Sequence, residues 1–460
     1  MVNIGGRSRG CLTCRNSRVK CDEGRPVCRR CRRLNLECGG PRGMAFIIHE
    51  KAAPLSSPPS TTGFDVYICY TKSQLLRGGL MVSAINDTKA DDLMPVGTAV
   101  ASRRVSHQAI MGFATLLFGI QHKQPDTARQ GYVMHGVALR QLNHALSDVT
   151  RHSPDDVILA VAALAISELL LPTTPDSCWT HMMGLDRLLD LQDPVSFWST
   201  KSPGFCKGIR FMIVAAALQL GRPSILARPE WKRAMRANAS CQELEGQDLY
   251  DALADCSVLL AEGNAMSSAE TADPTMAKTQ QDDKERQACG LLRHLHQWRQ
   301  NWNCNYLKIP IHTLPGNSSW SDGRGEDPEA SIITIAAIPN LPAATMLMLY
   351  NLALMHVLRV LRSQSPDESS TRDFVAQVET AKSMRIDERI AARETCRCTQ
   401  YYLSVKGRLD ASAPEVIHWA IAVAWEILRL DDSAEGIWMR DFLARRSRQV
   451  VAPSYLSRLQ

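Results

Sequence analysis

Six of the fifteen cysteines of this 460-residue chain lie within its first 38 residues and repeat one spacing. Each half of the repeat has the pattern C-x2-C-x6-C, and the six residues are Cys11, Cys14, Cys21, Cys28, Cys31 and Cys38. A redox site would need only one C-x-x-C pair, usually at the start of a helix in an α/β setting, and no strand pattern surrounds either pair. Thiolates on C-x-x-C turns are soft ligands that select zinc. The spacing therefore favours a metal site.

Six thiolates satisfy two zinc ions only if two of them are shared. A structural zinc ion takes four ligands in a tetrahedron, so two ions need eight ligand positions. The symmetry of the repeat predicts that the equivalent residues Cys11 and Cys28 bridge the two ions. The other four cysteines then complete the two sites in pairs, Cys14 with Cys21 and Cys31 with Cys38.

The segment that contains these cysteines has very few apolar residues from which to build a core. Metal binding must therefore supply the free energy of folding, which for structural zinc is of order 10 kcal/mol or more. Removal of the metal is expected to unfold the segment. Between the two halves, Gly24 and Pro26 predict a turn that folds the second half back on the first.

Basic residues accompany the cysteines. Residues 1–42 contain eleven Lys and Arg against three Asp and Glu, a net charge of +8, so the rest of the chain carries +6 − 8 = −2. An argument for binding a polyanion such as nucleic acid therefore applies to the N-terminal tenth of the chain. The stretch RNSRVK, between the second and third cysteines, is about long enough for a helix of one or two turns.

These residues resemble the fungal zinc binuclear cluster (Zn2Cys6) transcription factors. The shared features are the spacing C-x2-C-x6-C-x6-C-x2-C-x6-C, the basic stretch before Cys21, the following Asp22, and Pro26 two residues before Cys28. The resemblance covers residues 8–42 and implies a metal-stabilised DNA-binding domain that holds two Zn²⁺ ions. It also implies a nuclear, sequence-specific transcription factor of RNA polymerase II genes that recognises CGG triplets in double-stranded DNA.

The resemblance assigns roles within the basic stretch, because in this family the first helix enters the major groove. On that pattern Arg18 is the predicted base-reading residue, and Arg15 and Lys20 are predicted phosphate contacts. Lys and Arg neutralise phosphates and also hydrogen-bond the O6 and N7 atoms of guanine. Ser17, also a candidate DNA-binding residue, departs from the family pattern, in which a basic residue is common at this place.

The rest of the chain is predicted to be a linker followed by a helical domain. Residues 43–103 contain Pro-, Ser- and Gly-rich polar pieces and are predicted to be a flexible linker. No run of apolar a and d positions lasts three heptads, so dimerisation through a coiled coil is not predicted. Residues 104–450 show apolar residues at intervals of three and four, which predicts an α-helical domain. The order of features between His107 and Trp231 resembles the regulatory helical domain that accompanies many zinc-cluster factors, which implies a regulatory role. The apolar run 157–171 is too short for a membrane helix and contains Glu168, which predicts a buried core helix and no membrane partner.

No sequence feature supports catalysis, and the chain is predicted not to be an enzyme. A phosphate-binding glycine loop and a nucleophile elbow are both missing from the sequence. Trp179 beside His181, and Cys396 beside Cys398, are more typical of packed core residues than of ligands. The helical domain is instead expected to receive a signal or to contact the transcription machinery or co-regulators.

Two functional hypotheses follow from the sequence. The first is a transcription factor whose zinc cluster holds a basic helix against CGG-containing DNA. The second is a zinc-containing nuclear interaction protein or co-regulator that makes no specific DNA contact and acts through its helical domain. Ser17 and the missing coiled coil are the features that favour the second hypothesis.

Overall fold

The computed structural model describes the following residues: 10–24, 27–39, 63–75, 79–87, 104–147, 153–174, 176–237, 239, 241–268, 274–307, 335–363, 374–407, 409 and 413–446. The chain divides into two compact units, Met1–Ser60 and Thr61–Gln460. Within the described ranges the regular secondary structure is helical and no strand is present. The predicted order, a small cysteine-rich module followed by a mostly α-helical domain, is confirmed.

The first unit contains two short helices that are related by the sequence repeat, α1 (Leu12–Asn16) and α2 (Arg29–Arg33). A cysteine caps the N-terminus of each helix. The backbone N–H of Cys14 donates to Cys11 Sγ, and that of Cys31 donates to Cys28 Sγ, both at 3.4 Å. Each C-x-x-C turn is therefore itself the start of a helix.

The first helix lies earlier in the chain than predicted. The sequence placed residues 15–20 on it, whereas α1 ends two residues before Arg18. Arg18 has a left-handed backbone (φ 54°), and the N–H of Val19 donates to the carbonyl of Cys14 at 3.0 Å. Asn35 (φ 50°) has the corresponding conformation after α2. This reversal ends each helix because the chain must bring the third cysteine of the half back to the first two. Pro26, part of the predicted turn, lies outside the described residues.

The second unit contains fifteen described α-helices: α3 (Gly63–Gln74), α4 (Leu80–Asp87), α5 (Val105–Gln121), α6 (Pro125–Ser147), α7 (Pro154–Leu170), α8 (Ser177–Leu189), α9 (Pro194–Thr200), α10 (Pro203–Leu220), α11 (Pro229–Ala237), α12 (Cys241–Ser268), α13 (Pro274–Trp302), α14 (Leu341–Ser363), α15 (Phe374–Lys406), α16 (Glu415–Leu428) and α17 (Ala434–Arg446). Helices α5 to α8 pack together, as do α12 to α16, and α10 contacts both α8 and α12. Their buried apolar residues form one continuous core.

The structure departs from the predicted linker of residues 43–103, because α3 and α4 lie inside this interval. Ile68 and Leu75 on and beside α3, and Leu80 and Ile85 on α4, are buried in the same core as the later helices. Helix α3 packs on α5, and α4 packs on α7 and α10. Helices this short are only marginally stable by themselves and depend on tertiary packing. The local pattern of apolar residues was therefore too weak to predict them as helices.

Glycines allow α5 and α6 to pack very closely. A Cβ atom added to Gly131 on α6 would lie 2.6 Å from the Leu116 backbone, and one added to Gly119 on α5 would lie 2.4 Å from the Ala128 backbone nitrogen. Real Cβ atoms essentially never make such short contacts. The glycines are therefore required by the close approach of the two helix backbones.

The predicted core helix at residues 157–171 is confirmed as α7, which is buried along most of its length. Glu168 is 2% exposed and accepts hydrogen bonds from His135 Nε2 at 3.0 Å and from the Thr173 N–H at 2.7 Å.

Two other described helices, Pro203–Leu220 and Leu341–Arg362, are long and apolar enough to cross a membrane, yet 61% and 72% of these segments are buried within the protein. Burial of this extent is typical of core helices in a helical domain.

Helix α10 has clear local signals at both ends. The Ser202 hydroxyl accepts the N–H of Phe205, and Pro203 occupies the first helical position. These are typical features of a helix N-terminus. At the other end Gly221 adopts a left-handed conformation (φ 60°), which glycine accommodates without strain. The sequence thus fixes the length of this helix, which carries Arg210 near its middle.

Candidate metal centre and nucleic-acid interface

The six thiols of the first unit converge in two overlapping groups of four. Within each group the sulfur atoms all lie within 4.8 Å of one another, and the groups are Cys11, Cys14, Cys21 and Cys28, and Cys11, Cys28, Cys31 and Cys38. Cys11 and Cys28 belong to both groups. Among the residues that the structure describes, these are the only clusters of three or more Cys, His, Asp or Glu placed to hold a metal ion.

The distances between the sulfur atoms fit zinc coordination. Cys28 Sγ lies 3.8 Å from Cys11 Sγ and 3.7 Å from Cys14 Sγ, and Cys11 Sγ lies 3.9 Å from Cys31 Sγ. A tetrahedral zinc ion with Zn–S bonds of about 2.3 Å places its thiolates about 3.8 Å apart. A disulfide would need an S–S distance of about 2.05 Å. The donor set therefore fits two zinc ions that share two thiolates.

Hydrogen-bond donors surround the thiols. Cys21 Sγ accepts the backbone N–H groups of Cys11 at 3.5 Å and Glu23 at 3.4 Å. Arg30 Nη1 lies 3.9 Å from Cys14 Sγ. Two Zn²⁺ and six thiolates carry a formal charge of −2, and donors of this kind offset it.

The thiols of each group lie so close together that their ionised forms would repel one another. Burial raises the pKa of Cys31. Burial also acts to raise the pKa of Cys14, but hydrogen bonds from neighbouring thiols and from Arg30 outweigh it and lower that pKa. A bound zinc ion supplies the positive charge that keeps its thiol ligands deprotonated.

Two hydrogen-bonded clamps join the halves of the module. The Asp22 carboxylate accepts the backbone N–H of Arg29, the first residue of α2, at 3.0 and 3.1 Å, and this N–H lowers the pKa of Asp22. In the other direction, the Thr13 hydroxyl on α1 donates to the Glu37 carbonyl at 2.8 Å and accepts the Gly39 N–H at 3.0 Å. The sequence pointed to Asp22 only through the family pattern and did not point to Thr13, because an isolated threonine carries no pairing signal.

The candidate DNA-binding residues lie together on one surface segment. Arg15 is on α1, Ser17 is the residue that ends it, and Arg18 and Lys20 follow in irregular backbone. All four residues are exposed. The structure thus brings the predicted residues together but places only Arg15 on the helix itself.

The second half presents a further set of arginines. Arg29, Arg32 and Arg33 on α2 are exposed, whereas Arg30 is half-buried and turned toward Cys14. Both halves therefore carry positive charge at the surface, and Arg30 contacts a thiol inside the module.

Of the other pairs considered in the sequence, Trp179, Cys396 and Cys398 are buried in the core of the second unit, whereas His181 is half-buried. Trp179 is 1% exposed, and Cys396 and Cys398 are fully buried. Burial raises the pKa of both thiols, which keeps them protonated and unreactive. These residues pack in the core, as the sequence indicated.

Comparison with known proteins identifies the N-terminal module. The family model of the fungal Zn(2)-Cys(6) binuclear cluster domain matches residues 9–42. Residues 9–42 are therefore a Zn2Cys6 domain, whose six cysteines bind two zinc ions.

Curated relatives match the same end of the chain. Transcription activator AMTR1 of Alternaria alternata is 46% identical over 67 residues, which cover 13% of this chain and 9% of the relative. Arginine metabolism regulation protein II of Saccharomyces cerevisiae is 42% identical over 63 residues, covering 12% of this chain and 7% of the relative. Transcriptional regulatory protein moc3 of Schizosaccharomyces pombe is 58% identical over 31 residues, covering 7% of this chain and 6% of the relative.

The matched stretches thus span less than a tenth of the length of these relatives. No solved structure shows significant similarity to the chain.

Proposed function

We propose that this chain, which carries a Zn2Cys6 domain at residues 9–42, is a sequence-specific DNA-binding transcription regulator. It acts in the nucleus on RNA polymerase II genes and recognises CGG-type triplets. The observation that carries the proposal is the exposed basic segment of residues 15–20, held between two cysteines of one four-thiol group. The relatives that match this segment are named as transcription activators and regulators, which supports the same function.

The zinc-bound cysteines orient the basic segment. Cys14 precedes it and Cys21 follows it, and both belong to the same group of four thiols. The segment is therefore a short loop fixed at both ends, so its side chains lose little conformational freedom when they meet DNA. Bridging by Cys11 and Cys28 joins this loop rigidly to the second half of the domain.

The exposed side chains of the segment have different proposed roles. Arg18 stands where the chain reverses, and its guanidinium donates to the O6 and N7 atoms of a guanine in the major groove. Arg15 and Lys20 on either side neutralise phosphates and set the register of the domain on the duplex. Ser17 contributes a hydroxyl in place of a cation, so it adds a neutral hydrogen bond to the same surface.

The helical unit then provides the surface for other partners. Fifteen described helices with one continuous core form a large folded body. The transcription machinery or co-regulators are its proposed partners.

Fluorescence anisotropy with the full, zinc-loaded chain tests the DNA-binding role. Affinity is measured for a CGG-containing duplex and for a scrambled duplex over a range of salt concentrations. Arg18→Ala is expected to weaken binding to the CGG duplex by roughly 10- to 100-fold and to reduce the preference over the scrambled duplex. Lys20→Ala is expected to weaken binding to both duplexes alike and to reduce the slope of log K against log salt by about 1.

Arg33→Ala is the matched control, because it removes the same charge from the exposed face of α2. It should leave the preference for CGG unchanged, and all three variants should keep two zinc ions per chain. The co-regulator hypothesis predicts equal affinity for the two duplexes, and both affinities should fall in parallel as the salt concentration rises. That result, or an unchanged CGG affinity of Arg18→Ala, would reject the proposal.

A further inference from the structure

The second unit contains a cavity of about 870 Å³ bordered by helices α10, α12, α14 and α16. Its volume lies within the range of about 300–1,000 Å³ that is typical of small-molecule sites. Much of the lining is apolar and includes Leu80, Phe211, Met346, Leu349, Tyr402 and Val416. The cavity is thus large enough for an organic ligand and chemically suited to an apolar one.

One cation in the cavity wall lacks an anionic partner. Arg210 on α10 donates through Nη1 to Gln247 Oε1, and its guanidinium lies 4.1 Å from the ring centre of Tyr250. Its Nε is buried and has no acceptor within the described residues. Among the residues that the structure describes, none forms an ion pair with Arg210. Burial acts to lower the pKa of Arg210, and the charges of the more distant Asp251 and Glu243 offset this only in part.

The carboxylates near Arg210 are already paired. Glu243 lies 3.1 Å from Lys207 Nζ. Asp251 lies 2.5 Å from Arg236 Nη2. Neither carboxylate is within ion-pair distance of Arg210, so each acts on the guanidinium only from a distance. Arg210 is half-buried and has no direct ion pair within the described residues, so a ligand carboxylate placed against it would gain a charged partner.

The ionisable residues of the lining favour an anion. They comprise four cations and two carboxylates: Lys201, Lys207, Arg210, Lys406, Glu243 and Glu415. Burial raises the pKa of Glu415, which favours its neutral form. Two of the cations are already paired, Lys201 with Asp155 outside the lining and Lys207 with Glu243, so the excess positive charge beside the apolar surface comes from Arg210 and Lys406.

We propose that this cavity binds an amphipathic organic acid, whose carboxylate pairs with the Arg210 guanidinium and whose apolar body fills the space between α10, α12, α14 and α16. A carboxylate suits this partner because a planar guanidinium binds it through two parallel N–H···O bonds. The apolar lining selects against a phosphate-rich polyanion, because most of its polar surface would lose water without gaining hydrogen-bond partners.

Isothermal titration of the full, zinc-loaded chain with two matched probes tests this inference. Decanoate has the proposed chemistry, and decanamide is its neutral counterpart of nearly the same shape. Decanoate is expected to bind roughly 10- to 100-fold more tightly than decanamide, because one charged hydrogen-bonded pair is gained. Arg210→Met should abolish this difference. Arg222→Met should preserve it, because Arg222 is exposed and lies beyond the end of α10.

A second variant tests the location of the ligand without altering the guanidinium. A Cβ added to Gly246 would meet only the flexible end of Met346, at 3.4 Å, so a larger side chain there can be accommodated. Gly246 lines the cavity, and Gly246→Leu should therefore weaken both probes while the helical content by circular dichroism stays unchanged.

Three results would overturn the inference. The first is equal affinity of the two probes for the unmodified chain. The second is a folded Arg210→Met variant that still prefers decanoate. The third, decisive if Arg210→Met does not fold, is an unchanged decanoate affinity in Gly246→Leu. No DNA is present in these titrations, so their outcome is independent of the proposed DNA binding.

Discussion

The overlap of the two thiol groups predicts that one substitution can weaken two zinc sites at once. Cys28 belongs to both groups of four, whereas Cys38 belongs only to the second. Replacing Cys28 by serine leaves each group with three thiols. Replacing Cys38 by serine leaves the first group complete. Serine is close in size to cysteine but is not a thiolate ligand, so the comparison isolates coordination.

The size of the effect follows from the free energy of zinc binding. A structural zinc ion contributes about 10–16 kcal/mol. Shared over four ligands, this is about 2.5–4 kcal/mol for each thiolate, or roughly 10²- to 10³-fold in affinity. Cys38→Ser should weaken one zinc ion by this factor. Cys28→Ser should weaken both ions, because its sulfur lies in both groups.

A titration with a metallochromic chelator measures these affinities on the full chain. The unmodified chain should release two zinc ions together at high chelator concentration. Cys38→Ser should release one ion at a much lower chelator concentration and the other near the original midpoint, whereas Cys28→Ser should release both early. Cys69→Ser is the control, because Cys69 is exposed and lies on α3. Identical release curves for Cys28→Ser and Cys38→Ser would refute the shared ligand.

Two further predictions concern the helical unit and are measured by unfolding of the full chain. Gly131→Ala should lower the free energy of unfolding by about 1–3 kcal/mol, because the new Cβ would lie 2.6 Å from the Leu116 backbone. On the same helix, a Cβ added to Gly136 would meet no atom closer than 3.9 Å, so Gly136→Ala should raise the free energy of unfolding by up to about 1 kcal/mol through helix propensity. If both substitutions stabilised the protein, the close packing of α5 and α6 would be contradicted. Burial acts to raise the pKa of Glu168, but hydrogen bonds from His135 and neighbouring groups lower it from 4.5 to about 2. The unfolded state therefore binds this proton more tightly, so the carboxylate stabilises the fold above about pH 4.5 and loses about 3 kcal/mol of that contribution as the pH falls to about 2. Glu168→Gln should flatten the dependence of Tm on pH in this window, and an unchanged slope would count against the assignment.

The composition of the metal centre could be predicted from the sequence by comparing the number of thiols with the number of ligand positions that zinc ions require. Eight ligand positions and six thiols require two shared residues, and the repeat requires that these be an equivalent pair such as Cys11 and Cys28. The structure places these two residues in both groups of thiols. The helix boundaries could not be predicted in the same way. A cysteine is not a common helix cap, and an arginine at positive φ, as at Arg18, is uncommon.

In the second unit the sequence predicted the helices that carry a long apolar pattern, whereas in the region of α3 and α4 it indicated only a short helix or strand at residues 68–80 within a linker. Helix α7 was recognisable from its apolar run alone. Helices α3 and α4 bury only a few residues each, such as Ile68 and Ile85, against helices that follow later in the chain. The cavity around Arg210 could not be predicted from the sequence either, because its lining residues are distributed between Gly79 and Val416. Such long-range groupings depend on the packing of whole helices.

The way the first unit folds explains how it can present so many charges in so few residues. The fully buried residues of its core are cysteines, namely Cys11, Cys14, Cys28 and Cys31. Val27 is partly buried against these cysteines. Four other apolar residues of the same module are exposed: Leu12 by 36%, Val19 by 40%, Leu34 by 48% and Leu36 by 41%.

Because the cysteines and their metal ions take the place of an apolar core, exposed positions between them, such as those of Arg15, Arg18 and Lys20, carry no packing requirement. Arg15, Arg18 and Lys20 can therefore serve a ligand without supporting the fold. This separation is the physical reason to expect that substitution of Arg18 changes DNA affinity while the zinc content stays at two ions per chain.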